Sequence, residues 1–329
     1  VQRGLLSAEH ASWILTQVQH RTADTKPDTR QGESVSTLAD AGAVPETAGR
    51  KTGSQLPGIG DVIAGRYTVS SVLGKGGMGA VYRAHDAERG EDVAVKLLLR
   101  SPEGSTALAR FRREAEAVAK VDQHVGIVRI RAFGEHNGAP YAVQDLVEGR
   151  DLRAIVKAEG PFPIEDALAY AEQVSRAIHH CHQLGVVHRD LKPANVLLRS
   201  ADNTAHVTDF GLALDEQAER MTKTGTVMGT PAYMPPEQAE GDKAEIDALS
   251  DVYSLGAILY ELVTGRPPFK GEPILVIKKV FLNLPDPLAK HRGGVSPELE
   301  AVCQKAMAKR KQDRYPSALA FAEDLGRLR

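Results

Sequence analysis

The most informative pattern in this chain of 329 residues is His188-Arg-Asp190-Leu-Lys192-Pro-Ala-Asn195, followed by Asp209-Phe-Gly211. Asp190, Asn195 and Asp209 bring three side chains with oxygen atoms into one short region. Magnesium prefers oxygen ligands and commonly bridges them to substrate phosphates. Phosphoryl transfer relies on a metal ion, on cations around the phosphates and on an oriented hydroxyl group. The pattern therefore predicts a phosphoryl-transfer site.

A glycine cluster, Gly74-Lys-Gly76-Gly-Met-Gly79, lies between two predicted strands closer to the N-terminus. A GxGxxG pattern alone is weak evidence, because glycine turns are common between strands. Dinucleotide binding requires the glycines to open a helix, whereas here Val81 and Tyr82 continue the alternation of a strand. A glycine loop between antiparallel strands instead lets backbone N–H groups approach phosphates closely.

Lys96 lies inside the apolar strand Val93-Ala-Val-Lys96. A lysine on a half-buried strand is costly unless its ammonium group meets negative charge, which phosphate oxygens or a carboxylate would supply. Glu114, on a helix predicted near 105–121, is the candidate carboxylate. The alternatives are a lysine that reaches solvent from a sheet edge and a glutamate on a solvated helix face.

The pattern of apolar residues predicts an α+β architecture with two lobes. Strands are expected at 67–73, 80–84, 92–98, 127–133 and 140–146. From residue 164 the chain becomes helical, with an apolar stripe that reaches Cys181 and ends at Gly185. Further helices are expected near 251–263, 297–308 and 317–328. A small β-rich lobe at about 62–147 is thus followed by a larger helical lobe at about 148–329.

The composition separates the N-terminal part from the rest. Of the aromatic residues, only Trp13 precedes Tyr67, so the packed domain is expected to begin near residue 62. Residues 1–20 are predicted to hold an amphipathic helix of unknown role, and residues 21–61 a flexible polar linker.

The overall charge excludes several classes of protein. The chain carries 41 Lys and Arg against 43 Asp and Glu, a net charge of −2, which argues against a nucleic-acid partner and against a polybasic membrane binder.

No apolar run is long enough to span a membrane and no signal-peptide pattern is present. The two cysteines, Cys181 and Cys303, lie far apart in the sequence, which favours a reducing, cytoplasmic location.

From about Tyr67 onward the chain resembles the eukaryotic-like (Hanks-type) serine/threonine protein kinases of bacteria. The resemblance rests on motifs in the family's order: Gly74, Gly76, Gly79, Lys96, Glu114, H-R-D at 188–190, Asn195 and D-F-G at 209–211. It implies the bilobal protein-kinase fold, with an antiparallel sheet and one helix in the N-lobe and a mostly helical C-lobe over residues 62–329. Membrane anchoring through a further C-terminal region stays open.

The resemblance also assigns roles to residues. Lys96 would hold the α- and β-phosphates of ATP and pair with Glu114, while Asp190 would accept the proton of the substrate hydroxyl. Lys192 would steady the γ-phosphate, and Asn195 and Asp209 would bind Mg²⁺ or Mn²⁺. The expected nucleotide-binding set is Leu73, Gly74, Lys75, Gly76, Gly77, Met78, Gly79, Val81, Ala94, Lys96, Asp145, Val147, Asn195, Leu197 and Asp209.

The same resemblance suggests substrate class and regulation. Lys192-Pro193 after Asp190 is similar to kinases that act on Ser and Thr of proteins. Arg189 before the catalytic aspartate invites a phosphate, and Thr222 and Thr224 are the expected autophosphorylation sites. A homodimer for trans-autophosphorylation and partners that bind phosphothreonine would accompany such a function.

Other positions fit the family by analogy. Glu237 resembles the glutamate that anchors its loop through an arginine, here Arg314. Asp251 resembles the residue that braces the catalytic loop, and Gln144 is a polar residue at the gatekeeper position, able to hydrogen-bond into the adenine pocket.

Competing interpretations remain at this point. A pseudokinase scaffold would need degenerate catalytic groups, and a small-molecule phosphotransferase would lack the loop Gly229–Glu237. His179, His180 and His182 could suggest zinc, but they surround one helix without a matching Cys or carboxylate.

Overall fold

In the computed structural model of the protein, the described residues are 56–76, 79–98, 121, 124–210, 231–241 and 243–329. The chain divides into two units, 1–55 and 56–329, and every described residue belongs to the second unit. Several predicted features lie outside the described residues: the helix at 1–20, the linker up to residue 55, the helix near 105–121 except Val121, and Gly77, Met78, Glu114, Thr222 and Thr224.

The small lobe is built on an antiparallel sheet of six strands in the order β1-β2-β3-β4-β6-β5. Its strands are β1 Val62–Ile63, β2 Tyr67–Gly76, β3 Gly79–Asp86, β4 Glu91–Leu98, β5 Ile130–His136 and β6 Ala139–Asp145. Strands β2 and β3 extend further than predicted, because they pair as far as Gly76 opposite Gly79. Gly74, Gly76 and Gly79 therefore lie on the paired ends of two antiparallel strands.

The hairpin β5–β6 is shifted from its predicted position by a tight turn. Asn137 and Gly138 have φ angles of 51° and 79°, and these left-handed conformations at both central positions suit Asn-Gly. The turn places β5 at 130–136 instead of 127–133 and β6 at 139–145 instead of 140–146.

The sheet is preceded by an ordered stretch that the sequence assigns to the end of the linker. Leu56 packs against the core of the small lobe. Gly60 N–H donates to Val69 O at 2.8 Å, and Val69 N–H donates to Asp61 O at 2.9 Å. In the structure, residues 56–61 thus lie against β2.

The large lobe contains seven described α-helices and a small antiparallel sheet. The sheet has strands β7 Gly149–Asp151, β8 Val196–Arg199 and β9 Ala205–Val207. The helices are α1 Leu152–Glu159, α2 Ile164–Gln183, α3 Pro236–Glu240, α4 Ala248–Thr264, α5 Pro273–Leu282, α6 Pro297–Ala306 and α7 Ala318–Leu328. The sequence predicts α2, α4, α6 and α7, whereas α1, α3 and α5 were missed. None of the described helices is long and apolar enough to cross a membrane.

Helix α2 confirms its predicted apolar stripe. Its residues from Ala167 to Cys181 on that stripe are buried in the core of the large lobe. Gly185, with a φ of 75°, follows the end of the helix, which is the conformation that makes glycine a frequent helix terminator.

Helix α4 is the central element of the large lobe, because every residue from Ser250 to Thr264 is buried. A capping box between Asp247 and Ser250 begins the helix, and Gly265 with a φ of 71° ends it. Such a helix has no solvated face, so both of its ends are held at fixed positions in the core.

Gly256 permits the close approach of α4 and α6. A Cβ atom at this position would lie 2.8 Å from Ala306 Cβ and 2.9 Å from Met307 Cγ. Gly326, in α7, provides a contrast, because a Cβ atom there would first meet Glu172 Oε1 at 3.3 Å, at the end of a flexible side chain.

We expect Gly256→Ala to lower the free energy of unfolding by about 1–3 kcal/mol, because overpacking outweighs the gain in helix propensity. The matched variant Gly326→Ala should raise it by up to about 1 kcal/mol. Urea unfolding followed by circular dichroism measures both. Equal effects of the two substitutions would contradict the close packing of α4 on α6.

Candidate active site

The carboxylate of Asp190 is held by two neighbours on the same loop. Lys192 Nζ lies 2.6 Å from Asp190 Oδ2, and the Asn195 amide nitrogen donates to the same oxygen at 3.1 Å and to Asp190 O at 2.8 Å. A short 3₁₀ turn, Pro193–Asn195, brings Asn195 back towards Asp190. About a third of the Asp190 side chain is exposed, so the carboxylate is both fixed and accessible.

His188 connects this loop to the segment that contains Asp209. The ring is completely buried, and this burial lowers the pKa of His188, so the imidazole is neutral. Its Nε2 is 3.0 Å from Thr208 O and its Nδ1 is 3.2 Å from Asp190 N. A carbonyl can only accept and an N–H can only donate, so the proton resides on Nε2. The ring also stacks on Phe210 at 4.6 Å between centroids.

Asp251, at the start of α4, binds the backbone of the same loop. Its Oδ2 accepts the His188 N–H at 2.8 Å, and its Oδ1 accepts the Arg189 N–H at 3.0 Å. Arg189 has a φ of 66°, a left-handed conformation that costs a non-glycine residue about 1–2 kcal/mol. The two hydrogen bonds hold the backbone in this unfavourable conformation, as the resemblance implies for a bracing residue.

His182 is a third partner of Asp251, with Nε2 2.8 Å from Oδ2. The sequence interpretation missed this role and considered His182 only as one of three histidines that do not form a convincing zinc site. The available signal was its position four residues after Ile178, on the buried stripe of α2. Among its neighbours, His180 instead packs its ring on that of His124 at 5.3 Å.

Lys96 reaches Asp209 across the space between the lobes, with Nζ 2.8 Å from Oδ1. Both side chains are about 30% exposed. Asp209 has a φ of 59°, and the preceding Thr208 N–H donates to Asn195 O at 2.9 Å. The structure therefore places Asp209 close to the turn that carries Asn195. The expected partner Glu114 lies outside the described residues.

Most of the other expected nucleotide-binding residues lie in or next to the small-lobe sheet. Val81 is opposite Lys96 on adjacent strands, and Ala94 is opposite Gln144. Ala94 is buried and Val147 half-buried after the end of β6, while Leu197 lies on β8 in the large lobe. Apart from Lys96, Asn195 and Asp209, the remaining described members lie at the end of β2, the start of β3 and the end of β6: Leu73, Gly74, Lys75, Gly76, Gly79 and Asp145.

Two side chains at the end of β6 have partners that the sequence did not indicate. The carboxylate of Asp145 pairs with Arg131 on β5. Gln144 is buried, and the Thr208 hydroxyl donates to its Oε1 at 3.4 Å. The Gln144 amide thus hydrogen-bonds the residue before Asp209.

The segment around α3 is fixed to the core by a buried ion pair. Arg314 donates to both oxygens of Glu237 at 2.7 and 2.8 Å, which confirms the predicted pair. Burial opposes ionisation of Glu237, but the Arg314 hydrogen bonds outweigh it and lower the pKa of the carboxyl. Gln238 Nε2, one residue later, donates to Arg189 O at 2.9 Å. The segment thereby contacts the loop that contains Asp190.

Comparison with known proteins agrees with this geometry. Residues 67–324 match the protein kinase domain family. The serine/threonine-protein kinase PknB of Mycobacterium leprae is 40% identical over 276 residues, which cover 81% of this chain and 43% of that protein. A probable serine/threonine-protein kinase of Corynebacterium efficiens is 42% identical over 282 residues, which cover 80% of this chain and 41% of that protein. The chain thus spans less than half the length of these relatives.

A solved structure shows the same architecture. The PknI kinase domain of Mycobacterium tuberculosis superposes with a TM-score of 0.68 at 29% sequence identity, over 83% of this chain and 100% of that one. Sequence, site geometry and fold therefore lead to one assignment. The chain belongs to the protein kinase domain family.

Proposed function

We propose that this domain transfers the γ-phosphoryl group of ATP to serine and threonine hydroxyls of proteins in bacterial signal transduction. The observation that carries the proposal is the Asp190 carboxylate, whose Oδ2 is held at 2.6 Å by Lys192 and at 3.1 Å by Asn195. A carboxylate fixed in this way, and still a third exposed, is suited to orient a hydroxyl group and accept its proton.

Cations on both sides of the cleft support the binding of phosphates. Lys96 on β4 would contact the α- and β-phosphates, and Lys192 would contact the transferred phosphate. Among the described residues, each ammonium binds one carboxylate, Asp209 for Lys96 and Asp190 for Lys192, and an ammonium group has three N–H donors. Lys192 is thus placed to offset negative charge on the transferred group while Asp190 takes the hydroxyl proton.

Protein kinases use a divalent metal ion, and the residues at this site fit such an ion. Asp209 contributes a carboxylate, and the amide nitrogen of Asn195 is bound to Asp190, so its amide oxygen is the atom for a cation. Hard cations such as Mg²⁺ or Mn²⁺ prefer these oxygen ligands. When bound, the metal ion would neutralise charge on the phosphate oxygens.

The proposal extends to regulation and location. Arg189 precedes Asp190, and phosphorylation of Thr222 and Thr224, by a second copy of the chain acting in trans, would introduce phosphate groups that an arginine can bind. Phosphothreonine-binding proteins would then recognise the modified chain.

Cys181 and Cys303 are both buried free thiols, which supports a reducing, cytoplasmic location.

We expect Asp190→Asn to reduce phosphate transfer by about 10²- to 10⁴-fold, because the general base is lost. Asp202→Asn, in the exposed turn after β8, is the matched control and should retain full activity. Transfer of label from γ-labelled ATP with Mg²⁺ measures both, and fluorescence of a nucleotide analogue checks that Asp190→Asn still binds. Equal labelling of wild type and Asp190→Asn would overturn the assignment. Binding without labelling in wild type would indicate a scaffold.

We expect the double variant Thr222→Ala/Thr224→Ala to lower activity about 5- to 150-fold, the range of an ordinary regulatory coupling. Thr68→Ala, on the exposed side of β2, should leave activity unchanged. Mass spectrometry of the wild type should find phosphate on Thr222 and Thr224. Full activity of the double variant, together with unmodified threonines in the wild type, would contradict this part of the proposal.

A further inference from the structure

A cavity of about 320 Å³ lies beside the carboxyl end of α4, between this helix, the loop that follows Gly265 and the last turn of α5. None of its lining residues belongs to the site described above. Tyr260 and Phe269 form a buried apolar floor. Leu284, on the rim, is 75% exposed, so the cavity also offers apolar surface to an incoming group.

The rim of the cavity is basic. Arg266, Lys270 and Lys279 line it together with one carboxylate, Asp286. The surrounding segment 266–292 contains six Lys or Arg against two Asp or Glu, although the whole chain has a net charge of −2. Positive charge is therefore concentrated in this part of the large lobe.

The positive charges at the rim have few direct partners. Among the described residues, the side chains of Arg266 and Lys270 make no hydrogen bond and no ion pair within 4 Å. Asp286 is already paired, with Lys290 Nζ at 2.9 Å and His291 Nε2 at 3.3 Å. Lys279 Nζ donates one of its three N–H bonds to Lys270 O at 2.7 Å. The rim thus presents available donors to an anion.

The cavity adjoins the segment that leads into α3. Burial raises the pKa of Glu261, and the nearby charge of Lys270 is among the weaker influences that oppose this shift. Glu261 in turn accepts a hydrogen bond from the Tyr233 hydroxyl, three residues before α3. Gln238 of the same segment donates to Arg189 O, next to Asp190, so a substrate chain that leaves Asp190 can follow this segment to the cavity.

The length of α4 determines the distance between the loop that contains Asp190 and the cavity. Tyr260 is nine residues after Asp251, which corresponds to about 14 Å along the helix axis at 1.5 Å per residue. An extended chain covers about 3.3 Å per residue. A docking segment would therefore need to be separated from the phosphorylated residue by several residues, and about ten flexible residues would suffice.

We propose that this cavity is a docking site for an acidic segment of protein substrates, in which an apolar side chain is flanked by Asp or Glu. The apolar side chain would enter against Tyr260 and Phe269, and the carboxylates would pair with Arg266 and Lys270. The inference rests on the proposed kinase function, because the bound protein is a substrate only if the domain is a kinase. The binding itself does not depend on catalysis.

The first test measures binding without catalysis. The probe is a fluorescein-labelled peptide of twelve residues built from Glu, Asp, Leu and Phe, and its counterpart carries Lys in place of every acidic residue. Fluorescence anisotropy at 150 mM salt should show binding of the acidic peptide only. Arg266→Glu/Lys270→Glu should weaken it at least tenfold. Lys278→Glu/Arg292→Glu, which changes the same charge outside the cavity lining, should weaken it less than twofold.

Three other results of this test would contradict the proposed docking site. No binding of the acidic peptide to wild type would exclude it. Equal loss in both double variants would show general electrostatic attraction to the segment 266–292. Self-association of the wild type in sedimentation experiments, lost in Arg266→Glu/Lys270→Glu, would assign the cavity to a second copy of the chain.

A second test links docking to substrate use. A short Ser/Thr acceptor peptide is compared with the same peptide joined to the acidic segment by ten Gly and Ser residues. The extension should raise kcat/KM about tenfold in wild type and in Lys278→Glu/Arg292→Glu, through KM, and should have no effect in Arg266→Glu/Lys270→Glu. A benefit that survives in this last variant would overturn the inference. Binding of the acidic peptide with neither acceptor phosphorylated would instead contradict the proposed function and leave the docking site in place.

Discussion

The arrangement of the site depends on one buried carboxylate, that of Asp251. Its side chain is 2% exposed and accepts hydrogen bonds from two backbone N–H groups and from His182. A buried charge is tolerated only when it is well hydrogen-bonded, and hydrogen bonds to a charged group contribute about 1.5–3 kcal/mol each. These bonds outweigh the strain of Arg189 at a φ of 66° and thereby determine where Asp190 lies.

Helix α4 extends this constraint to the rest of the large lobe. Its first turn carries Asp251 and Ser250, whose hydroxyl donates to Glu237 at 2.7 Å. Its last turns carry Glu261, the partner of Tyr233. Since the helix is buried on all sides, it cannot rotate without loss of core packing. The catalytic loop and the segment before α3 are therefore held in a fixed relation by a single rigid element.

Residue patterns predicted the two lobes and the type of site, whereas they did not predict the hydrogen bonds that hold the site together. The apolar stripe of α2 and the strand alternation around the glycine loop depend on local periodicity, which the sequence displays directly. The role of His182 and the Gln144–Thr208 hydrogen bond join residues more than sixty positions apart, and periodicity carries no information on such pairs. Helix α5 was missed because its residues 273–282 are mostly apolar and show no polar face from which a helical period could be read.

The separation of the catalytic cleft from the basic cavity has an electrostatic consequence. At physiological ionic strength, exposed charges are screened beyond about 8 Å, while the cavity begins about 14 Å along α4 from Asp251. Arg266 and Lys270 therefore contribute little to the potential at Asp190 or at Lys96. A segment bound in the cavity acts instead through the chain that connects it to the reacting hydroxyl, by raising the local concentration of that hydroxyl. Since this effect depends on tether length and not on the chemical step, substrate choice can differ among related domains while the geometry around Asp190 stays the same.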